Sequence, residues 1–318
     1  MFLTIGPDND TGFRKHLEEL SLILDYPSKF IKVSEKGYSK TIRNIQFFKP
    51  KLTIIGGRNW ILRNNKILRE INGKKGILYC SPLAQAEISN EEIKNLTVYL
   101  QWLDDKRIDY LFVGSKSLAD RLKRKDVIYL PAPSLSDLNL RPRTNSPKKK
   151  IVAIFNDKAI HKNIINTLAG VSISKNTKEI WINGARGEYL ILSEMFGLKK
   201  RIKNLEYIPK KNFYTILKKV KLLLQISFTE GFSYSAFESM LLGVPVMTSK
   251  TIAWNTISLL KVNNCENHIE IARKIDLILS LRPKEYASLS QNCRKVAMKI
   301  IQKNNIICKN NLKQILRG

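Results

Sequence analysis

The chain has 318 residues, more than one hydrophobic core usually serves, so two domains are expected. Its 43% hydrophobic and 26% charged residues are typical of a globular protein, and its apolar runs fall far short of the roughly 20 residues needed to cross a bilayer. The 55 Lys and Arg residues outnumber 27 Asp and Glu, and the net charge of +28 suggests an anionic partner: nucleic acid, an acidic membrane or a phosphorylated substrate.

Charge alone identifies no function, because an AT-rich genome that favours lysine codons would produce the same excess. Near the N-terminus, Pro7, Asp8 and Asp10 interrupt any signal-peptide core, so we expect a cytoplasmic protein. The four cysteines form no CxxC pair, and free thiols in a reducing compartment are expected.

Strand-like runs alternate with helical periodicity in the first half of the chain. The stretch Gly12–Leu24 repeats apolar side chains at helical spacing, which predicts an amphipathic helix. Short β-rich runs follow at Leu52–Gly56, Gly76–Cys80 and Tyr110–Gly114. Alternating strands and helices predict an α/β fold with mostly parallel sheets.

A proline-rich segment, Pro131–Lys150, separates this half from a second series of strands and has the composition of a linker. The second series comprises Ile151–Phe155, Glu179–Asn183, Asn204–Tyr207, Leu222–Ile226 and Val244–Thr248. After about residue 268 the pattern is helical. We predict domains at residues 1–145 and 146–299, with a C-terminal helix at about 300–318 as a candidate for packing back onto the first domain.

The segment Thr229–Pro245 carries the strongest chemical signal. A buried strand, Leu222–Ile226, is followed by a loop of small residues and by a helix that is predicted to begin near Ser235. Free backbone N–H groups and the helix dipole at such a helix start favour a phosphate. Gly231 in the loop permits a ligand to approach the backbone closely.

Two carboxylates flank this loop at a spacing of eight residues, Glu230 and Glu238. The two oxygens of Glu238 could accept both hydroxyls of a ribose diol. The alternative is that Glu238 only complements the dipole at the helix N-terminus.

The run EGFSYSAFESMLLGVPV, with Glu230 and Glu238 at this spacing, resembles the motif of retaining GT-B glycosyltransferases of the large family 4 (glycosyl transferases group 1) type. The resemblance implies two Rossmann-like α/β domains with a donor/acceptor cleft between them. The first would be the acceptor-side domain and the second the nucleotide-sugar-binding domain. It implies that Glu238 holds the donor ribose and that Glu230 contacts the transferred sugar.

The same resemblance implies that the loop contacts the sugar and the diphosphate. The donor-binding residues are then Gly231, Phe232, Ser233, Tyr234 and Ser235, although relatives often have glycine where this chain has Ser233.

Fainter similarities extend over most of the chain. Gly184 falls at a loop of the donor domain, and Ile208 falls where the nucleotide base usually packs. Gly12 falls at the glycine of the acceptor-side loop. Ser81 follows a strand where many relatives place a histidine, and we expect it or a backbone carbonyl to take that sugar contact.

The resemblance places two cations at the diphosphate. Lys162 aligns with the family lysine, whereas the arginine position holds Asp157, so Lys158 is expected to take its part. His161 is a candidate phosphate ligand, and His16 is expected at the surface because polar residues surround it.

No metal site is expected near the donor. The one Asp-x-Asp, at residues 8–10, falls in the acceptor-side loop, and the pairs Glu18–Glu19, Glu91–Glu92 and Asp104–Asp105 are expected on solvated helix faces. Fixed cations and the helix N-terminus would then stabilise the leaving diphosphate. We expect no cofactor, a UDP- or GDP-sugar donor, and transfer with retention.

The sequence does not distinguish between a glycan, a lipid-linked acceptor and a cell-surface acceptor. The net charge is compatible with peripheral contact at the inner face of an anionic membrane. One alternative is a DNA-modifying glycosyltransferase of the same architecture. Another is a non-catalytic protein that binds a sugar nucleotide or a nucleic acid.

Overall fold

The computed structural model describes residues 1–7, 12–33, 38–57, 59–144, 147–155, 160–183, 187–205, 208–252 and 254–317. The chain forms two compact units, and the second is one continuous segment. Unit 1 comprises Met1–Ser136 and Ile301–Gly318, and unit 2 comprises Asp137–Ile300.

Unit 1 contains a parallel sheet with strands in the order β2-β1-β3-β4-β5-β6. The strands of its described part are β1 Phe2–Pro7, β2 Ser28–Val33, β3 Leu52–Gly56, β4 Lys74–Tyr79, β5 Tyr110–Val113 and β6 Val127–Tyr129. The helices between them are α1 Gly12–Leu22, α2 Tyr38–Phe48, α3 Asn59–Arg63, α4 Leu83–Ile88, α5 Asn90–Asp104 and α6 Lys116–Leu122.

Unit 2 repeats this plan with the strand order β12-β11-β10-β7-β8-β9. Its described strands are β7 Ile151–Ile154, β8 Glu179–Asn183, β9 Ile202–Leu205, β10 Leu222–Gln225, β11 Val246–Ser249 and β12 Lys261–Val262. The helices are α7 Ile164–Ile173, α8 Glu188–Met195, α9 Lys210–Leu217, α10 Tyr234–Leu241, α11 His268–Ser280 and α12 Pro283–Arg317, and α12 continues into unit 1.

Helices cover both faces of each sheet, which explains the sequence of the central strands. All residues of β3, β7, β10 and β11 are buried, as expected for parallel strands packed on both sides. In unit 1 the alternating side chains of β3 enter two core layers, Ile55 in one and Ile54 in the other. Cys308, Leu312 and Ile315 of α12 are buried in the layer that contains Ile54.

Two arginines join the segment after Ser136 to the rest of unit 2 by hydrogen bonds. Arg143 donates hydrogen bonds to the carbonyl oxygens of Val220 (2.6 Å) and Gly243 (2.8 Å). Arg294 of α12 donates to the carbonyl oxygens of Leu140 (3.1 Å) and Leu241 (2.8 Å). The bonds to Leu241 and Gly243 satisfy carbonyls at the C-terminal end of α10, where a helix has no intrahelical donors left.

The α/β fold with parallel sheets is confirmed, and so is the helix that begins at Gly12. The alternation of apolar runs and helical stretches in the sequence did not predict the strands β1, β2, β6 and β12. In β2 only Ile31 is buried, because this strand lies at the end of the sheet, and its sequence therefore lacks a continuous apolar run.

Candidate active site

The predicted strand, loop and helix of the motif are β10, residues 226–233 and α10. Ser233 is the N-cap of α10, and its hydroxyl accepts a hydrogen bond from the amide of Ala236 at 3.4 Å. Serine is a preferred N-cap residue because this bond satisfies one free amide of the first turn. The Ser233 hydroxyl also lies 3.1 Å from that of Ser235 and donates to the side-chain oxygen of Gln225 at 3.4 Å.

A buried ion pair lies at the start of this loop. The ammonium of Lys162, in the turn before α7, contacts the carboxylate of Glu230, and the two side chains are only 13% and 9% exposed. Gln225, at the end of β10, donates a hydrogen bond to the same carboxylate oxygen at 3.1 Å. The amide of Phe228 donates to the carbonyl of His161 at 2.8 Å and joins the loop to the Lys162 turn.

Glu238 belongs to a second buried polar group. It lies in α10 and is 6% exposed, and the hydroxyl of Tyr214 from α9 lies 3.4 Å from its Oε1 atom. The same hydroxyl lies 3.2 Å from Oδ1 of Asp137, which is 1% exposed. Burial, followed by the charges of Glu238 and Asp137, raises the pKa of Tyr214 far above its usual range, so the phenol keeps its proton.

Aromatic side chains of the loop and of α10 pack against one another and against Trp254. The rings of Phe232 and Phe237 stack at 4.2 Å with an angle of 6° between them, and Phe237 contacts Trp254 at 4.8 Å. Tyr234 lies against the edge of Phe232 at 5.0 Å. The backbone amides at the start of α10 are therefore presented by a packed loop, which is the condition for a preorganised anion site.

The structure pairs Lys162 with Glu230 in the loop that leads from β10 into α10, and Glu238 lies in the second turn of α10. Gly231, Phe232, Ser233, Tyr234 and Ser235 form the connecting loop and the first residues of α10. Ile208, which was predicted to pack on a base, is half-buried just before α9. Lys158, Asp157 and Gly184 lie outside the described residues.

The predicted acceptor-side residues belong to unit 1. Gly12 is the first residue of α1, and Ser81 follows β4 and is half-buried. The Asp-x-Asp at residues 8–10 lies outside the described residues.

The prediction for His16 was wrong. His16 is 3% exposed, because it follows Phe13 by three positions and shares the inward face of α1. Its Nδ1 atom lies 3.4 Å from Sγ of Cys80, and burial lowers the pKa of the imidazole to about 3.

The prediction of a solvated face was also wrong for Glu19. Its buried carboxylate accepts hydrogen bonds from the amides of Leu135 (2.7 Å) and Ser136 (3.2 Å). Glu91, Asp104 and Asp105 are exposed as predicted, and all four cysteines have free thiols.

Sequence reasoning missed Tyr214 and Asp137. Tyr214 lies 24 positions before Glu238, and Asp137 lies 77 positions before Tyr214. No local sequence pattern marks either residue. In the described part of the chain, no three His, Cys, Asp or Glu side chains are grouped so that they could hold a metal ion. The same part contains no helix with the length and apolar character of a membrane span.

Part of the sequence matches a known family, and the fold matches solved structures. Residues 141–296 match the family model described as glycosyl transferases group 1. No curated protein sequence matches the chain.

Among solved structures, the chain is similar to Anabaena HepE in complex with UDP-glucose, with a TM-score of 0.75 and 13% identity over 98% of this chain and 99% of HepE. It is also similar to sucrose-phosphate synthase from Thermosynechococcus elongatus, with a TM-score of 0.74 and 14% identity over 100% of this chain and 98% of that enzyme.

A third similarity is to Staphylococcus aureus TarM in complex with fondaparinux, α-GlcNAc-glycerol and UDP. The TM-score is 0.69 with 14% identity, and the match covers 88% of this chain but only 59% of TarM. Residues 141–296 are therefore similar to a glycosyl transferases group 1 domain, and the chain as a whole has the α/β fold of the GT-B glycosyltransferases.

Proposed function

We propose that the protein is a retaining glycosyltransferase that uses a nucleotide sugar, either a UDP-sugar or a GDP-sugar. The observation that carries the proposal is the Lys162–Glu230 ion pair in the loop that leads into α10, together with Glu238 in the second turn of that helix. A cation, a helix start and two carboxylates match the parts of such a donor: a diphosphate, a sugar and a ribose.

In the proposed site, the Glu238 carboxylate accepts the two ribose hydroxyls, and Tyr214 fixes its orientation. The amides of Tyr234 and Ser235 at the start of α10 face the diphosphate, whereas the amide of Ala236 is bonded to the Ser233 hydroxyl. Glu230 accepts hydroxyls of the transferred sugar. Lys162, which contacts Glu230 in the structure, stabilises the negative charge that grows on the diphosphate.

In the proposed reaction, the bond between the anomeric carbon and the diphosphate oxygen breaks. The acceptor hydroxyl oxygen bonds to the anomeric carbon from the same face, and its proton passes to the leaving phosphate. Fixed cations and the dipole of α10 stabilise that phosphate in place of a metal ion. We propose a glycan or a lipid-linked acceptor, because the structural relative TarM binds fondaparinux and α-GlcNAc-glycerol together with UDP.

The test is a hydrolysis screen over UDP-, GDP- and ADP-sugars, with thermal shift as a second readout. We expect one donor class to stabilise the protein and to be hydrolysed slowly, and Lys162→Ala to lower turnover by about two orders of magnitude. Activity should persist in EDTA. A protein that binds none of the donors would overturn the proposal, and strong inhibition by EDTA would overturn its metal independence.

A further inference from the structure

The edge of the unit 2 sheet opposite the candidate site carries a regular set of lysines. Strands β10, β7, β8 and β9 are neighbours and run parallel, so the residues that precede them lie at one edge. Two exposed lysines precede each strand. They are Lys218 and Lys219 before β10, Lys148 and Lys149 before β7, Lys175 and Lys178 before β8, and Lys199 and Lys200 before β9. We call these eight residues the lysine edge.

Backbone hydrogen bonds fix the four loops side by side. The amide of Lys178 donates to the carbonyl of Lys150 at 3.2 Å, and that of Ile180 donates to the carbonyl of Arg201 at 2.8 Å. The amide of Lys221 donates to the carbonyl of Ile151 at 2.8 Å. Because neighbouring strands lie about 4.8 Å apart, the eight charges are spread over about 15 Å across the sheet.

Carboxylates balance only part of this charge. Glu179 follows Lys178 directly at the start of β8, where it accepts a hydrogen bond from the indole of Trp181 at 2.6 Å. The four loops, residues 147–150, 174–178, 196–201 and 218–221, contain no Asp or Glu in the sequence. Asp276 of α11 contacts one loop, where it accepts hydrogen bonds from Ser174 (2.7 Å) and the amide of Asn176 (2.8 Å). Glu194 pairs with Lys199 at 2.9 Å, yet the Lys199 side chain stays 75% exposed.

The one arginine in the sequence of these loops, Arg201, forms hydrogen bonds within unit 2. The guanidinium of Arg201 donates to the carbonyl of Ser172 (3.2 Å) near the end of α7 and to that of Thr177 (2.8 Å) in the loop that follows. Burial lowers its pKa. The exposed charge of the lysine edge is therefore carried by lysine ammonium groups. A lysine ammonium is a compact charge on a flexible side chain, whereas the planar guanidinium of arginine suits bidentate binding of a single phosphate.

Exposed apolar side chains lie beside these lysines. Helix α7 ends at Ile173, which is 48% exposed, and α8 ends at Met195, which is 77% exposed. Leu277, next to Asp276 in α11, is 46% exposed. The loops after α7 and α8 lead directly into the lysine edge.

We propose that the lysine edge docks unit 2 onto a membrane that contains anionic phospholipids. Lysines near such a surface gain about 1 kcal/mol each, and Ile173 and Met195 would enter the boundary between headgroups and acyl chains. Aliphatic side chains among lysines fit a lipid surface better than single-stranded nucleic acid, which proteins bind with aromatic stacking platforms. Docking by this edge leaves the candidate site, at the opposite edge of the same sheet, directed away from the membrane, so the proposal concerns membrane binding and does not depend on the proposed acceptor.

The test is sedimentation of the full chain with vesicles of phosphatidylcholine alone and of phosphatidylcholine with one third phosphatidylglycerol. The edge variant replaces Lys148, Lys149, Lys199 and Lys200 by glutamine. The matched control replaces Lys94, Lys295, Lys299 and Lys303, four exposed lysines outside these loops, by glutamine and removes the same charge.

We expect wild type and control to bind the anionic vesicles but not the neutral ones, and the edge variant to bind at least about tenfold more weakly. The Ile173→Ser, Met195→Ser double variant should also bind less. Equal binding by edge and control variants would overturn the proposal, as would equal binding to both kinds of vesicle, or a preference for duplex DNA over anionic vesicles at about physiological ionic strength. Hydrolysis of the nucleotide sugar without vesicles should be the same in all variants, so a failed docking site is distinguishable from a failed transferase assignment.

Discussion

The ammonium of Lys162 and the carboxylate of Glu230 form a buried ion pair, although 68 positions separate them in the sequence. Removing one partner of a buried pair leaves an uncompensated charge and costs about 3–5 kcal/mol. Lys162→Met and Glu230→Gln should each lower the free energy of unfolding by a substantial part of this amount. Denaturant unfolding measures the effect.

The double variant Lys162→Met, Glu230→Gln separates stability from chemistry. Since it leaves no unpaired charge, it should recover much of the stability that either single variant loses. Turnover of the nucleotide sugar should stay low, because both proposed catalytic groups are gone. A double variant with wild-type turnover would show that the pair is only structural.

Tyr214 should matter to nucleotide binding through its hydroxyl alone. Tyr214→Phe removes the bond to Glu238 and should weaken nucleotide binding by roughly fivefold, about 1 kcal/mol. Isothermal titration measures the change. Tyr26→Phe, at an exposed position, is the matched control and should bind like the wild type. Equal affinities of the two variants would remove Tyr214 from the site.

Ser233 should contribute to stability as a cap of α10. Ser233→Ala removes the acceptor for the Ala236 amide and should cost about 1 kcal/mol of unfolding free energy. Ser233→Gly should cost only a few tenths of that, because glycine is tolerated at this position of a helix. Thermal unfolding of the two variants measures the difference, and an alanine variant as stable as the glycine variant would contradict the capping role.

His16 should make the stability depend on pH. Burial lowers the pKa of His16 to about 3, so the unfolded chain binds the proton first as the pH falls. Below the unfolded pKa of about 6.5, stability should therefore decrease with falling pH, with a slope that approaches about 1.4 kcal/mol per pH unit until pH 3 is neared.

The His16→Gln variant isolates this contribution, because the carboxylates of the chain titrate in both proteins. Denaturant unfolding between pH 7 and pH 4 should show a shallower decrease for the variant. Parallel curves for the two proteins would indicate that the folded protein accepts the proton as readily as the unfolded chain does.

The fold class was predictable because parallel strands buried on both faces appear in the sequence as apolar runs, of which LLLQ in β10 is an example. The edge strand β2 was not predictable in this way, since only Ile31 is buried. The position of His16 could have been predicted, because its spacing from Phe13 and Leu20 places it on the apolar face of α1.

The candidate site was predictable where its residues are close in sequence. Glu230, Ser233 and Glu238 fall in one strand–loop–helix unit, whose geometry follows from its loop and cap residues. Tyr214 and Asp137 were not predictable, because only the packing of α9 and of the segment after Ser136 brings them to Glu238.

The role of Glu238 as the ribose ligand is tested most directly by titrating the nucleoside diphosphate of the hydrolysed donor and its 2′-deoxy analogue into wild type and Glu238→Gln. We expect the wild type to prefer the ribonucleotide by about tenfold, and the variant to lose most of that preference along with much of its affinity. A variant that still discriminates between ribose and deoxyribose as the wild type does would contradict the assignment of Glu238 to the donor.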